Sequence, residues 1–520
     1  MKNVKKLLLN TLLLTATALF MRTVGMAFNV YLTNRIGSAG IGLFQLIMSV
    51  YAMAVTFASS GIRLASTRLV IEELSNRSRQ VRGVMCRCVL YGLVMGTTVA
   101  AFLYVGSPWI SQAWLGDPRT ELPLRLLAVS LPAVAMSSSL GGYFTAVRKV
   151  GRYSAVQVGE QLVRIVSTVF LLTWFLPKGL EYACVAIVVG SCLSDLASFF
   201  CSYLLYRLDS RPYRPREPKD HSNLVLRMLR IAVPDAVGAW ARSVLLTIEH
   251  LLIPSGLKKA GASNEAALAT YGVIQGMVLP VLLFPSSILN SLASLLVPEV
   301  AECHAKGHFR QIRYITQRVL RITLYFGLGV AGCFSLYASD LSQAIYHNGD
   351  STVYLRVLAP LVPVMYLDMT VDGLLKGLNQ QVSSMRYNII DSFLCVILVY
   401  FLVPRCQIQG YVITIFASEL INFFLSFHRL VTVNPFEVRV FQDLIKPLLC
   451  LGGTLFFARQ LFAQWSLWSA IGGTGVLYVI FLCLTQCITG EDIRWFCSIF
   501  RTEKREEGPT KYGRKLSKSL

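Results

Sequence analysis

Arg79-Gln80-Val81-Arg82 returns 231 positions later as Arg310-Gln311-Ile312-Arg313, and Arg87 falls on Arg318 at the same offset. The register holds well beyond that motif. Ser111-Gln112-Ala113 meets Ser342-Gln343-Ala344, Leu124-Arg125 meets Leu355-Arg356, Pro132 meets Pro363, Gly142 meets Gly373, and the acid Glu160 meets Asp391. Between residues 79 and 142, about 17 of roughly 64 positions are identical, where chance in a chain this rich in Leu, Val and Ala gives about 5. The chain is a duplication. A shift of 220 pairs Arg22 with Arg242, and a longer loop around Lys258 to Ala266 absorbs the difference.

Each copy is a membrane unit. The chain has 520 residues, 54% hydrophobic and 15% charged, with a mean hydropathy of +0.56. That is more apolar surface than one soluble core can bury. Apolar runs long enough to cross about 30 Å of hydrocarbon recur end to end, about fourteen in all. An all-α integral membrane protein is predicted, with six helices in each copy. An even number gives both copies the same orientation, so they form two parallel lobes. The expected organisation is an N-terminal lobe over 1–207, a cytoplasmic linker over 208–222, a C-terminal lobe over 223–430, two additional transmembrane helices over 431–489 and a basic cytoplasmic tail over 490–520.

Lys and Arg collect in cytoplasmic loops, which converts the net charge of +21 into a topology. With both termini in the cytoplasm, about 36 of the 49 Lys and Arg residues lie inside, about 9 outside and about 4 within the segments. The charge is therefore not the footprint of a nucleic-acid binder. The first segment follows Lys2, Lys5 and Lys6 but has a counterpart in the second copy, so a retained helix is expected rather than a cleaved signal. The Asn76-Arg77-Ser78 triplet lies in a basic cytoplasmic loop and is read as unmodified. Thirteen cysteines without a CxxC pair indicate neither zinc nor disulfides. No GxxxxGK[ST] loop is present, so ATP is not the direct drive. No metal, no cofactor and no enzymatic activity are expected.

The informative residues are charges inside the bilayer. Arg22, Arg164 and Arg242 fall near the middle of the first, fifth and seventh segments, where each costs about 2.5 kcal/mol or more unless it faces protein or water. Arg63 is shallower, and snorkelling is the alternative to a cavity position. Gln45, Ser49, Thr56, Ser60, Arg63 and Thr67 share one face of the second segment, as a cavity lining would. Asp235, Arg242 and Glu249 share a face of the seventh but lie two turns apart, about 10 Å, so Arg242 needs a partner from another helix. Glu160 with Arg164, and Asp372 with Lys376, are i,i+4 pairs and are read as self-neutralising. Arg22, Arg63 and Arg242 are the candidate substrate-binding cations. Gln45, Arg164, Asp195, Glu249, Asp368 and Glu419 are further cavity or coupling candidates. Asp195, Asp368, Asp391 and Glu419 are read either as partners of the arginines or as coupling-ion ligands.

The pattern Arg22-Thr23-Val24-Gly25, then Asn34-Arg35-Ile36-Gly37-Ser38-Ala39-Gly40-Ile41-Gly42-Leu43-Phe44-Gln45-Leu46, then Ser60-Gly61-Ile62 and Thr67-Arg68-Leu69-Val70 with Glu72-Glu73, resembles the polysaccharide-flippase branch of the multidrug/oligosaccharidyl-lipid/polysaccharide exporter superfamily. Within it the likeness is to the stage V sporulation protein B type. The resemblance implies a bacterial inner-membrane protein with a V-shaped pair of lobes. It implies movement of an undecaprenyl-pyrophosphate-linked saccharide, such as the peptidoglycan precursor lipid II, from the inner to the outer leaflet by alternating access. Such a role serves cell-wall, polysaccharide or sporulation pathways, with cell-wall synthesis proteins as candidate partners. Relatives that flip lipid II line the cavity with arginines from helices 1, 2 and 8. Arg22 and Arg63 resemble the first two. The eighth segment, from Ala267 to Pro298, has no arginine, and Arg242 on the seventh stands as the substitute. Arg63 also occupies the place of a proline usual in sporulation relatives. The last two helices would supply surface for the lipid tail.

Chemistry agrees with this reading. A diphosphate cannot cross hydrocarbon bare, and planar guanidinium groups grip it bidentately. Two other classes compete. A cation-coupled multidrug exporter of the same fold calls for acids in the first lobe, where the first segment offers Arg22 and none. A non-transporting scaffold for cell-wall enzymes would leave the intramembrane arginines free to vary.

Overall fold

The computed structural model describes residues 2–75, 81–210, 224–437, 439–488 and 490. The Asn76-Arg77-Ser78 triplet, most of the linker expected at 208–222, and the basic tail from residue 491 lie outside the described residues. Every element among the described residues is helical, and twelve helices are long and apolar enough to cross a membrane. Two of the twelve are double. Ala16–Ser75 has 60 residues, about 90 Å if straight, three times the hydrocarbon thickness. It contains the non-helical Gly37 (φ 72°, ψ 178°) as well as the bend at Gly61; Gln381–Val433 contains Gln407 (φ 53°, ψ −136°). The chain doubles back at Gly37 and at Gln407. Asn29 and Ile41, on either side of Gly37, meet the same residue: Asn29 Nδ2 donates to the Gly276 carbonyl at 2.7 Å, and a Cβ on Gly276 would lie 2.8 Å from Ile41. Across Gln407, Ser418 Oγ donates to Asp391 at 2.5 Å. Counted as pairs, these helices bring the total to the expected fourteen.

We number them α1 (residues 2–36), α2 (residues 38–75, bent at Gly61), α3 (Val81–Trp109), α4 (Glu121–Ala146), α5 (Val150–Phe175), α6 (Leu180–Asp209), α7 (Leu224–Lys259), α8 (Asn264–Leu283 continued by Ser286–Ala305), α9 (Phe309–Leu336), α10 (Thr352–Gly377), α11 (residues 381–406), α12 (residues 408–433), α13 (Phe441–Leu461) and α14 (Leu467–Leu484). The duplication is visible in the packing. A Cβ on Gly96 of α3 would lie 2.7 Å from Pro132 Cα of α4, and one on Gly327 of α9 would lie 2.9 Å from Pro363 Cα of α10. These are the same glycine and proline 231 positions on. Glycine lets each helix touch the proline-bearing backbone of the next, the close approach that small residues allow between membrane helices.

The chain divides into two compact units, one ending at Phe436 and the other starting at Glu437. Within the first, the two copies meet along two antiparallel seams. Down the α2–α7 seam, Thr247 Oγ1 donates to the Ser49 carbonyl at 3.2 Å, Phe57 stacks on Trp240 at 5.3 Å, and Glu72 pairs with Arg227. Gly61 turns with φ +75°, and a Cβ there would stand 2.1 Å from the Ala232 carbonyl oxygen, so glycine is required twice over. At the Gly37 end of α2, backbone touches backbone: Cβ atoms on Gly42 and Gly272 would lie 2.0 Å from the Leu268 carbonyl oxygen and 2.1 Å from that of Ser38. The α1–α8 seam carries Asn29 on Gly276 and Arg22 on Leu283. In the second unit α13 packs on α14, with Phe457 stacked on Phe481 at 6.0 Å and Lys446 Nζ donating to the Thr485 carbonyl at 3.3 Å.

Candidate functional site

The three candidate cations share one property: among the described residues none has a carboxylate within 4.0 Å. Their surroundings differ. Arg22, half-buried in α1, donates through Nη2 to the Leu283 carbonyl at 2.9 Å. That carbonyl sits where α8 breaks at Phe284-Pro285. Proline brings no N–H to the ladder, so acceptors at the break take donors from outside it: Leu282 accepts from Tyr366 Oη at 2.6 Å, and Leu283 from Arg22 and from Ser286 Oγ at 2.7 Å. Arg63, exposed on α2 just past the Gly61 bend, lies over the Tyr153 ring of α5, 5.2 Å from its centroid. Arg242 is exposed on α7, and its side chain makes no hydrogen bond or ion pair among the described residues. Asp368 on α10 and Asp391 on α11 are within its electrostatic reach. Arg242 thus does face acids from other helices, without contact.

Arg164 is held differently. Its Nη2 reaches Glu160 Oε1 at 3.0 Å and Asp195 Oδ1 at 3.4 Å, and its Nε donates to Ser194 Oγ at 3.2 Å. Asp195, only 8% exposed, accepts a second bond from Tyr51 Oη at 2.8 Å, and Tyr51 is in turn 2.7 Å from Ser130 Oγ. The i,i+4 pair forms as the spacing indicated, and α6 adds a further acid. With two carboxylates on one guanidinium, Arg164 has little left to offer a ligand. Lys376 and Asp372 also pair, at 3.0 Å.

The other acids gather in the second copy. Glu249 of α7, Asp368, Asp391 and Glu419 of α12 interact electrostatically across four helices. Asn422 Nδ2 donates to Asp368 Oδ2 at 3.0 Å, while Asp368 Oδ1 and Asn422 Oδ1 are buried without a hydrogen-bond partner among the described residues. Gln45 is half-buried on α2. The predicted residues therefore fall into separate places: Arg22 at the break in α8, Arg63 over Tyr153 of α5, Arg242 before the acids of the second copy, and Arg164 with Asp195 inside the first. No group of three or more His, Cys, Asp or Glu residues suited to a metal ion occurs among the described residues.

The sequence model of the family described as polysaccharide biosynthesis protein matches residues 7–304, more than half of the chain. The chain belongs to the polysaccharide biosynthesis protein family. Over 498 residues, 93% of this chain and 96% of the relative, it is 23% identical to stage V sporulation protein B of Bacillus subtilis (strain 168). It is 20% identical to lipid II flippase MurJ of the same organism, over 72% of this chain and 73% of that one. Among solved structures, lipid II flippase MurJ in an inward closed conformation superposes with a TM-score of 0.71 at 13% identity, covering 94% of this chain and all of the other. An inward-facing multidrug resistance MATE family transporter of the MOP superfamily gives 0.63 at 13% identity, over 81% and 98%. The chain is thus a multi-pass membrane flippase or transporter of the multidrug/oligosaccharidyl-lipid/polysaccharide superfamily, on its flippase branch.

Four residues beside the cations are not singled out by sequence reasoning. Asn29 lies two turns beyond Arg22 on the same face of α1, a period-seven signal the sequence does hold. Tyr153 stands likewise two turns before Glu160 on α5. Tyr366 and Trp240 are ordinary aromatics in apolar helices, and only the fold brings them to the break in α8 and to the α2–α7 seam.

Proposed function

We propose that this protein carries an undecaprenyl-diphosphate-linked saccharide from the inner to the outer leaflet of a bacterial cell membrane by alternating access. The observation that carries the reading is the set Arg22, Arg63 and Arg242: three guanidinium groups on membrane-spanning helices, none ion-paired among the described residues. A cation left unpaired at that depth is expensive, and a diphosphate with two or more negative charges is the partner it fits. The lipid II flippase named among its relatives supports a lipid-linked substrate. Basic loops put both termini in the cytoplasm. Residues 1–207 and 223–430 act as the two rocking lobes, with 208–222 as their joint. The α2–α7 and α1–α8 seams are the surfaces that part as access changes sides.

Purified protein in liposomes, offered fluorescent lipid II and undecaprenyl-diphosphate lipids bearing other sugars, tests this. Flipping that depends on the diphosphate and is lost in Arg22→Ala supports the proposal. Equal flipping of an uncharged undecaprenyl glycoside, or full activity of Arg22→Ala, overturns it; export of a cationic drug in place of lipid assigns the multidrug class instead.

A further inference from the structure

Arg63 is an exposed cation that lies on a built platform. Its guanidinium carbon sits 5.2 Å above the Tyr153 centroid, and Tyr153 is stacked at 6.3 Å on Phe144, a fully buried ring of α4. The platform is anchored in the core of the first copy. The space for it comes from Gly141: a Cβ there would lie 2.9 Å from the tip of the Tyr153 ring and 3.1 Å from an Arg63 terminal nitrogen. Ring and guanidinium together fill the volume a side chain would take. The backbone beneath is fixed as well. A Cβ on Gly142 would stand 1.8 Å from Ser66 Oγ and 2.6 Å from the Arg63 carbonyl oxygen, so α2 lies directly against α4 at this residue. Ser66 Oγ and Thr67 Oγ1 both donate to the Arg63 carbonyl, at 3.0 and 2.8 Å, and Thr67 also reaches the Gly142 carbonyl at 3.1 Å.

A snorkelling arginine points its head into water and needs none of this. Here α2, α4 and α5 converge to hold one side chain, yet its N–H donors have no acceptor among the described residues. A ring face restrains a guanidinium through its π cloud and leaves the in-plane donors free. An acidic neighbour would consume them, as Glu160 and Asp195 do at Arg164. We infer that Tyr153, seated by Gly141, is a positioning residue that aims the Arg63 guanidinium at an anionic oxygen of the substrate, setting affinity for the diphosphate without touching it. This rests on the substrate class proposed above.

The test uses the full-length protein in detergent, with undecaprenyl diphosphate as the probe and its binding measured directly, followed by lipid II flipping in liposomes. Tyr153→Leu is expected to weaken binding about 3- to 30-fold, the range of a cation–π contact, and to raise the apparent KM while the rate at saturating substrate is kept. Tyr153→Phe retains the ring and binds as the wild type does. Placing Phe, then mono-, di- and trifluorophenylalanine at 153 changes the π cloud at nearly constant shape, so each step lowers affinity in a correctly folded protein. In an Arg63→Ala background, Tyr153→Leu adds no further loss. A flat fluorination series, or a full additional loss in that background, overturns the positioning role while leaving Arg63 as a ligand. Wild-type affinity in Arg63→Ala overturns the role, and no binding of undecaprenyl diphosphate by the wild type overturns the substrate reading beneath it as well.

Discussion

Replacing Gly42 by alanine should hold the α2–α8 contact open. The added Cβ would lie 2.0 Å from the Leu268 carbonyl oxygen and 2.9 Å from its carbon. Both obstacles are backbone, so no side-chain rotation clears them. Helix must part from helix by about 1.2–1.5 Å before ordinary van der Waals contact returns. Forcing a methyl into such a contact costs about 1–3 kcal/mol, which shifts a two-state equilibrium away from the closed seam by about 5- to 150-fold. Flipping should slow by a comparable factor if the cycle passes through this state, at unchanged protein level. Thirteen native cysteines discourage thiol labelling, so spin labels would be introduced through non-canonical residues at Asn34 and Gln343, both exposed beside the Asn34–Ile345 hydrogen bond that joins the copies at this end. The short-distance population should shrink in Gly42→Ala. Gly25→Ala and Gly159→Ala, where nothing lies within 4 Å, should change neither distance nor rate. If Gly42→Ala keeps both the wild-type distance distribution and the wild-type rate, the seam is not a state the transporter has to reach.

Arg22→Ala and Arg242→Ala should each abolish lipid flipping with normal amounts of protein in the membrane, and lysine at either place should restore little because an ammonium lacks the bidentate fork. Arg164→Ala should act on stability: removing the cation shared by Glu160 and Asp195 should cost about 3 kcal/mol, the low end for a buried pair because the arginine side chain is still 31% exposed. Thermal unfolding in detergent reads this, and adding Glu160→Gln with Asp195→Asn should recover most of the loss; no recovery would refute the charge argument. An inside-negative potential favours outward movement of a dianion by about 5 kcal/mol per 100 mV, so collapsing the potential in vesicles should slow flipping. A rate that follows a sodium or proton gradient at zero potential would point to antiport instead.

The crossings and the duplication were readable because both are written locally or at one constant offset. Apolar runs mark the helices, and the offset that aligns Arg79 with Arg310 also aligns the Gly96–Pro132 contact with Gly327–Pro363. The i,i+4 pairs Glu160–Arg164 and Asp372–Lys376 were readable for the same reason. Helical periodicity gives a residue's face and says nothing of what stands opposite it. Arg22 and its acceptor Leu283 are 261 positions apart, and Asp195 reaches Arg164 from the next helix. Tyr153 beneath Arg63 depends on a glycine on a third helix, so its part emerges only when α2, α4 and α5 are assembled.

Gly37 bears on how force travels through the molecule. It is the single non-helical residue between α1 and α2, and its φ of 72° with ψ of 178° is a backbone state that glycine alone enters freely. A linkage of one residue has no slack. Through α1 the first copy holds α8, and through α2 it holds α7 and the start of α8, so a tug on one seam is delivered to the other as from the two arms of a single bracket. A few flexible residues spliced in at Gly37 would slacken that linkage.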